Sequence, residues 1–364
     1  MKAKVIQEDL KKAIIAASRF SSSRPQIPVL SNILLKTDKS KISVSATNLE
    51  MSINFEVGAK IEEEGEITVP SKTLLEIVNN LNPGVIDLDL EKETLTIKSE
   101  NFKSKLLGIN ASEFPKIPTS IKGKSIKVPF GLLVKSLSNV IFSSSYDETK
   151  PVLTGILLFV KNKKLNLVAT DGYRLSLSTV EGKYDFDFEK IIIPKFIFNE
   201  IPRFVDNEEL TFSYDLENNL VLFKTKEAVL SSRIIEGNYP DFQKIIPNNS
   251  KTKVIVDKED FLRLVKLASI FARDSANVVK ISTENGILTI LAESQYSGSQ
   301  KSSVEAKIEG EDIKIAFNYK FLEDFLNSVS GDTVLMEFND SFSPVVFRDT
   351  ADKNYLHLIM PVKI

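Results

Sequence analysis

The stretch MKAKVIQEDLKKAIIAASRF at residues 1–20 decides the fold, because related versions of it occur twice more in the chain. They read IKVPFGLLVKSLSNVIFSSS at 126–145 and KVIVDKEDFLRLVKLASIFA at 253–272. Each version is a short strand-like run, a polar or turn residue, and then an amphipathic helix pattern. The copies lie about 125 residues apart, which is the spacing of whole domains and not of solenoid repeats. The sequence therefore predicts three similar domains.

The remainder of each unit repeats as well. A strand pair follows at 30–57, 153–180 and 277–304, and a strand that runs into a second helix follows at 65–81, 190–205 and 312–329. The order strand, helix, strands thus occurs twice in each unit, which predicts about six short helices in an α+β fold. Polar segments at 119–126 and 247–253 are candidate linkers. We expect domains at 1–118, 127–247 and 252–364.

Composition limits the class of protein. The 364 residues are 42% hydrophobic and 26% charged, which is typical of a globular chain with several cores. The sequence has no cysteine, no signal-peptide pattern and no apolar run long enough to span a bilayer, so we expect a cytoplasmic protein. The net charge of −2 does not by itself indicate a nucleic-acid binder.

Most catalytic sites are disfavoured by the residues present. His357 is the only histidine and lies in the alternating run NYLHLIM, where a strand position is favoured over catalysis. The GKS at 123–125 lacks the glycine that a phosphate-binding loop requires, because Pro118 stands in its place. Asp87 and Asp89 share one face of a strand and could bind a metal or act as acid and base, although simple solvent exposure is the favoured explanation. We expect no catalytic site and no cofactor.

The positive residues concentrate on the predicted helices, while acidic residues concentrate in strands and loops such as EVGAKIEEEGE and DNEEL. The helix cations include Lys12 with Arg19, Lys72, Lys135, Lys195 with Arg203, and Arg263 with Lys266. Such residues can be the polar face of any surface helix. If the repeats bring the helices to one side, that side would attract a phosphate backbone without base contacts.

Four motifs, in order along the chain, resemble one family. These are SSRPQIPVLSNILL at 22–35, ATDGYRL at 169–175, GNYPDF at 237–242 and LIMPVKI at 358–364. The sequence resembles the bacterial DNA polymerase III β subunits, the sliding clamps, from end to end. The resemblance implies three DNA-clamp domains with inner helices and outer antiparallel sheets. It also implies a head-to-tail homodimeric ring that encircles duplex DNA and gives a replicative polymerase its processivity.

The resemblance and the helix geometry together imply DNA-facing residues. The expected set is Lys12, Arg19, Arg24, Lys72, Lys195, Arg203, Arg263 and Lys266. Arg24 and Lys72 match family positions that face DNA, whereas helix geometry supports the others.

The family also implies a pocket in which polymerases, clamp loaders and other partners dock a short peptide motif. Its expected residues are Leu153, Thr170, Gly172, Tyr173, Arg174, Leu175, Pro240, Lys244, Ile245, Pro344, Leu358, Ile359, Met360, Pro361 and Val362. A mostly apolar cleft with an adaptable methionine suits a hydrophobic peptide. The sequence departs from the usual family pattern at Tyr173, Lys244, Val362, Lys363 and Ile364, and these departures bear on peptide preference.

A ring requires a joint between subunits. By family resemblance, the first unit of one chain meets the third unit of the other and extends the outer sheet. The expected interface residues are Ile270 and Phe271 at the end of the fifth helix, with Leu106, Leu107 and Ile109 in the run FKSKLLGI. Phe271 could instead belong to its own core.

Two other classes of function are alternatives to the clamp. A repetitive β-rich adhesion or carbohydrate-binding protein is disfavoured by the missing signal pattern, cysteine and tryptophan. A metal-dependent hydrolase would have to rely on Asp87 and Asp89, which have no supporting cluster in the sequence.

Overall fold

The structure is a computed structural model, and it describes residues 1–363 except 23–25, 122–123, 183, 185–187 and 204–208. The α-helices are α1 (Gln7–Ser18), α2 (Ser71–Asn80), α3 (Phe130–Val140), α4 (Pro151–Thr154), α5 (Lys195–Glu200), α6 (Lys258–Ala272) and α7 (Tyr319–Ser328). Six of them lie where the repeated pattern predicts a helix. The single turn α4 was not predicted.

The first strands are β1 (Lys2–Ile6), β2 (Asn32–Asp38), β3 (Lys41–Thr47), β4 (Met51–Glu63), β5 (Glu66–Pro70), β6 (Val85–Glu91), β7 (Thr94–Ser99), β8 (Phe102–Leu107), β9 (Lys124–Pro129), β10 (Gly155–Lys161), β11 (Lys164–Thr170) and β12 (Arg174–Val180). The others are β13 (Phe188–Pro194), β14 (Glu209–Asp215), β15 (Leu220–Lys224), β16 (Ala228–Arg233), β17 (Thr252–Asp257), β18 (Val278–Glu284), β19 (Ile287–Ser294), β20 (Gly298–Glu305), β21 (Lys307–Glu309), β22 (Lys314–Asn318), β23 (Thr333–Phe338), β24 (Val345–Asp349) and β25 (Tyr355–Ile359).

The chain divides into two compact units. Unit 1 contains Met1–Phe130 and Phe196–Ile234, and unit 2 contains Gly131–Lys195 and Ile235–Ile364. The middle repeat is therefore shared, with one part in each unit. Strand pairing explains this division, because β4 of the first repeat pairs with β16, and β12 pairs with β25 of the third repeat. Every ladder among the described strands is antiparallel, and the predicted α+β fold is confirmed.

Unit 1 contains one sheet of 12 strands. Its main path is β8-β7-β6-β1-β4-β16-β15-β14-β9, and β3 continues from β4 to β2 and β5. Helix α1 packs against α2 and against β3 and β4. Its buried residues include Leu10, Ala13, Ile14 and Ala17, which are the apolar stripe expected at helical spacing.

Unit 2 contains a sheet of nine strands, β13-β10-β11-β12-β25-β24-β23-β17-β21, and a sheet of four, β20-β19-β18-β22. Helix α6 packs against β19, β20 and α7 around a core that includes Phe261, Phe325 and Phe347. The Asp257 carboxylate caps α6 by accepting the Asp260 N–H at 2.9 Å.

Two details differ from the expected boundaries. Strand β9 begins at Lys124 and β17 at Thr252, so the last residues of both candidate linkers are strand. Helix α5 ends at Glu200 and continues only as a 3-10 turn at Ile201–Arg203, because Pro202 has no N–H to donate within an α-helix. None of the described helices has the length and apolar character to cross a membrane.

Candidate functional site: an apolar cleft, helix cations and two sheet edges

The turn between β11 and β12 is fixed by its own side chains. The Thr170 hydroxyl donates to the Arg174 carbonyl oxygen (2.6 Å) and accepts the Gly172 N–H (3.1 Å). The Asp171 carboxylate accepts the N–H groups of Tyr173 (2.9 Å) and Arg174 (3.0 Å). Gly172 has a φ of +93°, a conformation that favours glycine. The turn therefore projects Tyr173 outward, with 66% of its surface exposed.

Arg174 is buried and positions this turn. Its guanidinium contacts Asp171 (3.1 Å) and Asp324 (2.5 Å) and donates to the Phe142 carbonyl oxygen (2.7 Å). It also lies over the ring of Phe321 at 4.6 Å. These groups occupy the guanidinium, so Arg174 fixes the conformation of the turn. Its charge is already paired within the protein and is not free for a ligand.

Leu175, at the end of this turn, belongs to a buried apolar cluster. Its members are Leu157, Phe159, Val168, Leu175, Ile192, Phe242, Val346, Leu356 and Leu358. Sequence reasoning named only Leu175 and Leu358 of this set. The alternation of strand residues could have added Leu356, which lies two positions before Leu358 and so shares its face of β25. Phe242 could have been added from the GNYPDF motif, which it ends, whereas Val346 had no comparable signal, because it reaches the cluster from another strand.

The chain that follows β25 forms another part of this surface. The Met360 N–H donates to the Tyr173 carbonyl oxygen (2.8 Å), and the Val362 N–H donates to the Ala316 carbonyl oxygen (2.8 Å). Met360 is exposed, while Pro361 and Val362 are half-buried. We call the surface formed by the 170–175 turn, the apolar cluster and residues 360–362 the Tyr173 cleft.

The remaining expected residues of the Tyr173 cleft have different environments. Leu153 is buried and Pro344 half-buried, whereas Pro240 and Ile245 are exposed. Lys244 is exposed and forms an ion pair with Asp241 at 2.9 Å. Ile359 packs in the core of the third repeat, because adjacent residues of a strand face opposite sides.

In unit 1, most of the expected DNA-facing cations have acidic neighbours. Lys12 lies 2.6 Å from Glu227. Arg19 and Arg203 both approach Glu200, at 3.7 and 3.4 Å. Lys72, in the first turn of α2, is exposed and forms no ion pair with any described residue.

In unit 2, Arg263 pairs with Asp260 at 2.6 Å, and Lys266 is exposed on the same helix. Lys195 departs from the expectation of a charge presented to DNA. It is only 4% exposed, donates to the Ser145 carbonyl oxygen (2.9 Å) and lies over the Tyr146 ring. Burial lowers the pKa of the Lys195 ammonium. Arg24 lies outside the described residues.

Two of the strands that end their sheets bear on the subunit joint expected from the sequence. Strand β8 pairs only with β7, and β20 pairs only with β19 among the described strands. On β8, Leu107 is 78% exposed while Leu106 is buried, and Ile109 just beyond it forms a bridge to Thr68. Sequence reasoning identified the β8 edge but missed β20.

Helix α6 packs against β20, and just beyond the helix Asp274 accepts a hydrogen bond from the Ser297 hydroxyl (2.9 Å), next to the start of β20. Ile270 is 55% exposed, whereas Phe271 is half-buried against the core of the third repeat. An exposed isoleucine near a sheet edge is a surface that another chain can cover.

The carboxylates Asp87 and Asp89 do not form a metal site with other described residues. Asp87 lies 3.2 Å from Lys4 on the neighbouring strand, and the register also places Asp89 opposite Lys2. The described residues contain no group of three or more His, Cys, Asp or Glu that could hold a metal ion. The carboxylate pair is therefore explained by cross-strand charge pairing.

His357 is fully buried in β25, as its alternating sequence predicted. Its Nδ1 lies 2.8 Å from the Ser176 hydroxyl, which is 2.8 Å from the Ser143 hydroxyl. Its ring stacks on Phe325 at 5.3 Å. A serine and histidine pair without access to solvent is a packing feature and offers no nucleophile to a substrate.

The buried histidine predicts a pH-dependent stability. Burial, helped by the positive charge of Arg174, holds the pKa of His357 well below its ordinary value of 6.5. Below pH 6.5 the unfolded chain binds a proton that the folded chain does not, so stability falls by up to about 1.4 kcal/mol per pH unit. Urea unfolding of the wild type from pH 7.5 to 5.5 should show this loss.

The variant His357→Leu is the matched control, because the chain has no other histidine. It should unfold with nearly the same stability across that pH range, while Ser176 keeps its bond to Ser143. An unchanged pH slope in the variant would show that another group is responsible.

Three family models match successive parts of the chain. The model of the DNA polymerase III beta subunit N-terminal domain matches residues 1–118, that of the central domain matches 127–241, and that of the C-terminal domain matches 243–363. Together they cover nearly the whole sequence.

Individual proteins agree with these models. The beta sliding clamp of Bacillus subtilis is 30% identical over 378 residues and aligns over 100% of both chains. The solved structure of the DNA polymerase sliding clamp from the same species superimposes with a TM-score of 0.95 at 28% identity, over 100% of this chain and 99% of that one. The beta subunit of Thermotoga maritima gives a TM-score of 0.93 at 28% identity, with the same coverage. The chain belongs to the DNA polymerase III β-subunit family, the bacterial sliding clamps.

Proposed function

We propose that two copies of this chain close head to tail into a ring of six domains around duplex DNA. The domains are 1–118, 127–247 and 252–364 in each copy. The observation that carries this proposal is the pair of sheet edges, β8 in the first repeat and β20 in the third. If β8 of one chain joins β20 of the other, the dimer covers both edges and uses two equivalent joints.

The proposed joint places exposed apolar residues in contact. Leu107 on β8 and Ile270 near β20 are large side chains that water surrounds in the single chain. Their burial in a dimer is favourable because apolar surface leaves water. The joint would also rest on residues that are already partly or fully buried in their own domains and that would pack under the exposed pair. These are Leu106, Ile109 and Phe271.

The helix cations supply a weak attraction to DNA. The proposed set is Lys12, Arg19, Lys72, Arg203, Arg263 and Lys266, which lie on or next to helices, together with Arg24, which is proposed from the family resemblance alone. Several of them share an acidic neighbour, such as Glu200 beside Arg19 and Arg203, so their net field is modest. A topologically linked ring needs no tight or base-specific contact, and a screened attraction lets it slide.

The Tyr173 cleft is proposed as the docking site for short peptide motifs of the replicative polymerase, the clamp loader and other DNA-processing proteins. Its apolar floor and few polar anchors fit a hydrophobic segment. The protein would act by tethering such partners to DNA in the bacterial cytoplasm, without catalysis and without a cofactor.

The test uses DNA topology. The full chain is loaded by a clamp loader onto nicked circular DNA, washed in high salt, and then followed after the circle is linearised. We expect retention on circles at high salt and rapid loss after linearisation, because a ring can leave only over a free end. Equal loss from circles and linear DNA would overturn the proposed ring.

A further inference from the structure

A second turn in the chain repeats the hydrogen bonds of the Tyr173 cleft. Between β3 and β4, the Thr47 hydroxyl donates to the Met51 carbonyl oxygen (2.9 Å) and accepts the Leu49 N–H (3.0 Å). The Asn48 side-chain oxygen accepts the N–H groups of Glu50 (3.1 Å) and Met51 (2.8 Å). Leu49 has a φ of +75° where the other turn has Gly172 at +93°.

The surroundings of the two turns also match. The Arg233 N–H donates to the Glu50 carbonyl oxygen (2.9 Å), as the Met360 N–H does to that of Tyr173 (2.8 Å). Strand β16 pairs with β4 beside the first turn, as β25 pairs with β12 beside the second. The same backbone frame is thus built twice, once within unit 1 and once within unit 2.

The frame in unit 1 encloses a cavity of about 460 Å³. It is lined by Thr47, Leu49, Glu50, Met51, Ser52, Pro115, Lys116, Ile117, Pro118, Asn218, Leu220, Ser231 and Arg233, and we call it the Leu49 pocket. Its volume lies within the usual range of ligand-binding clefts. The segment 115–118 closes it, and this segment corresponds in the repeat to the 240–247 segment that borders the Tyr173 cleft.

The lining of the Leu49 pocket differs from the Tyr173 cleft in its charge. Met51 takes the place of the buried Arg174, so a flexible apolar side chain stands where the Tyr173 cleft has a charged one, beside polar residues such as Ser52 and Ser231. Lys116 and Arg233 are exposed at the rim, and neither forms an ion pair with a described residue. Glu50 is the single acidic residue of the lining, so the rim carries a net positive charge.

We propose that the Leu49 pocket binds a short extended peptide of a partner protein, with a large apolar side chain flanked by carboxylates. The class of ligand rests on the peptide docking proposed for the Tyr173 cleft, whose frame this pocket repeats. Charge complementarity sets the preference, because Lys116 and Arg233 lack acidic partners within the described chain. The apolar side chain lies against Leu49, Met51 and Leu220.

The four methionines allow both sites to be followed in one experiment. Met51 lines the Leu49 pocket, Met360 belongs to the Tyr173 cleft, and Met336 and Met1 are buried elsewhere. The full chain is labelled with 13C at its methionine methyl groups, and each signal is assigned by a Met→Leu variant. The probes are acetyl-SDLFDG-amide and its uncharged match, acetyl-SNLFNG-amide.

We expect the acidic probe to shift the Met51 and Met360 signals while leaving Met336 in place. The uncharged probe should shift Met51 with about tenfold weaker affinity, because it lacks the carboxylates that two exposed cations recognise. A Met51 signal that stays fixed while Met360 moves overturns the Leu49 pocket alone. Movement of Met51 without Met360 supports the pocket and contradicts the proposed Tyr173 cleft.

Charge-reversal variants complete the test. The variant Lys116→Glu/Arg233→Glu should lose the Met51 response to the acidic probe by about tenfold or more in affinity, with the Met360 response unchanged. The control Lys163→Glu/Lys164→Glu changes two exposed lysines on the β10–β11 turn and should leave both responses intact. Equal affinities of the wild type and the Lys116→Glu/Arg233→Glu variant at Met51 would overturn the proposed recognition of carboxylates.

Discussion

The variant Leu107→Asp/Ile270→Glu should be monomeric and should not remain on circular DNA. Both side chains are exposed in the single chain, so a carboxylate at either position costs the domain fold little. In the proposed dimer each carboxylate would be buried without a partner, at about 3–5 kcal/mol apiece. Two such charges per joint weaken association by at least about ten-thousandfold. Sedimentation and the circular-DNA assay measure the two consequences.

The choice of positions matters for this experiment. Leu106 and Phe271 pack in the cores of their own domains. A charged residue at either position would destabilise the domain fold, so a loss of dimer could not be separated from unfolding. The control Leu216→Glu changes an exposed leucine in the turn between β14 and β15, and it should stay dimeric and retained. A double variant that still sediments as a dimer would remove the assigned joint. A monomer that remains on circles would contradict the ring itself.

A chain that stops after Ile359 should lose peptide binding at the Tyr173 cleft by about a hundredfold. The deletion removes Met360, Pro361 and Val362, whose apolar surfaces form one wall, and a hundredfold loss is about 2.7 kcal/mol, the contribution of about one fully buried side chain of this kind. It also removes the hydrogen bond from Met360 to Tyr173. Fluorescence anisotropy with a fluorescein-labelled SNLFNG peptide gives the affinity.

The fold should survive this deletion, because β25 ends at Ile359 and keeps all its ladder partners. The truncated chain should therefore remain dimeric and retained on circular DNA. The control Lys353→Ala alters an exposed side chain just before β25, outside the residues assigned to the Tyr173 cleft, and should bind the peptide normally. Undiminished affinity of the truncated chain would show that the tail is not part of the peptide site.

The repeat made the fold predictable. Amphipathic spacing identified Leu10, Ala13 and Ile14 as one face of α1, and the structure buries all three. Amphipathic spacing predicted the wrong helix length where a proline prevents the regular hydrogen bonding of an α-helix. The helix expected through residue 205 ends as α-helix at Glu200, since Pro202 interrupts its hydrogen bonding.

Site residues were less predictable, because side-chain contacts depend on distant segments. Lys195 has the charge and the helix position expected of a DNA contact, yet the structure buries it beside Ser145 and Tyr146. Ser145 lies 50 positions earlier in the sequence, so the pattern around Lys195 could not indicate this contact. Val346 reaches the floor of the Tyr173 cleft from a strand whose sequence gives no sign of it. The β20 edge was missed although most of the strand lies in the strand pair expected at 277–304, because its polar residues, GSQKSSVE, do not indicate which strand ends the sheet.

The sharing of the middle repeat between two sheets has a consequence for synthesis on the ribosome. Strand β4 pairs with β3 and β1, but its other partner is β16, where Ser231 lies 179 positions after its contact at Ser52. One edge of β12 pairs with β11, but its other partner is β25, where Ile359 lies 185 positions after its partner Arg174. During translation, one edge of each strand therefore remains without its partner until a large part of its unit has been synthesised. The unpaired N–H and C=O groups of such an edge can form hydrogen bonds with a neighbouring nascent chain. We therefore expect this protein to rely on chaperones during rapid expression.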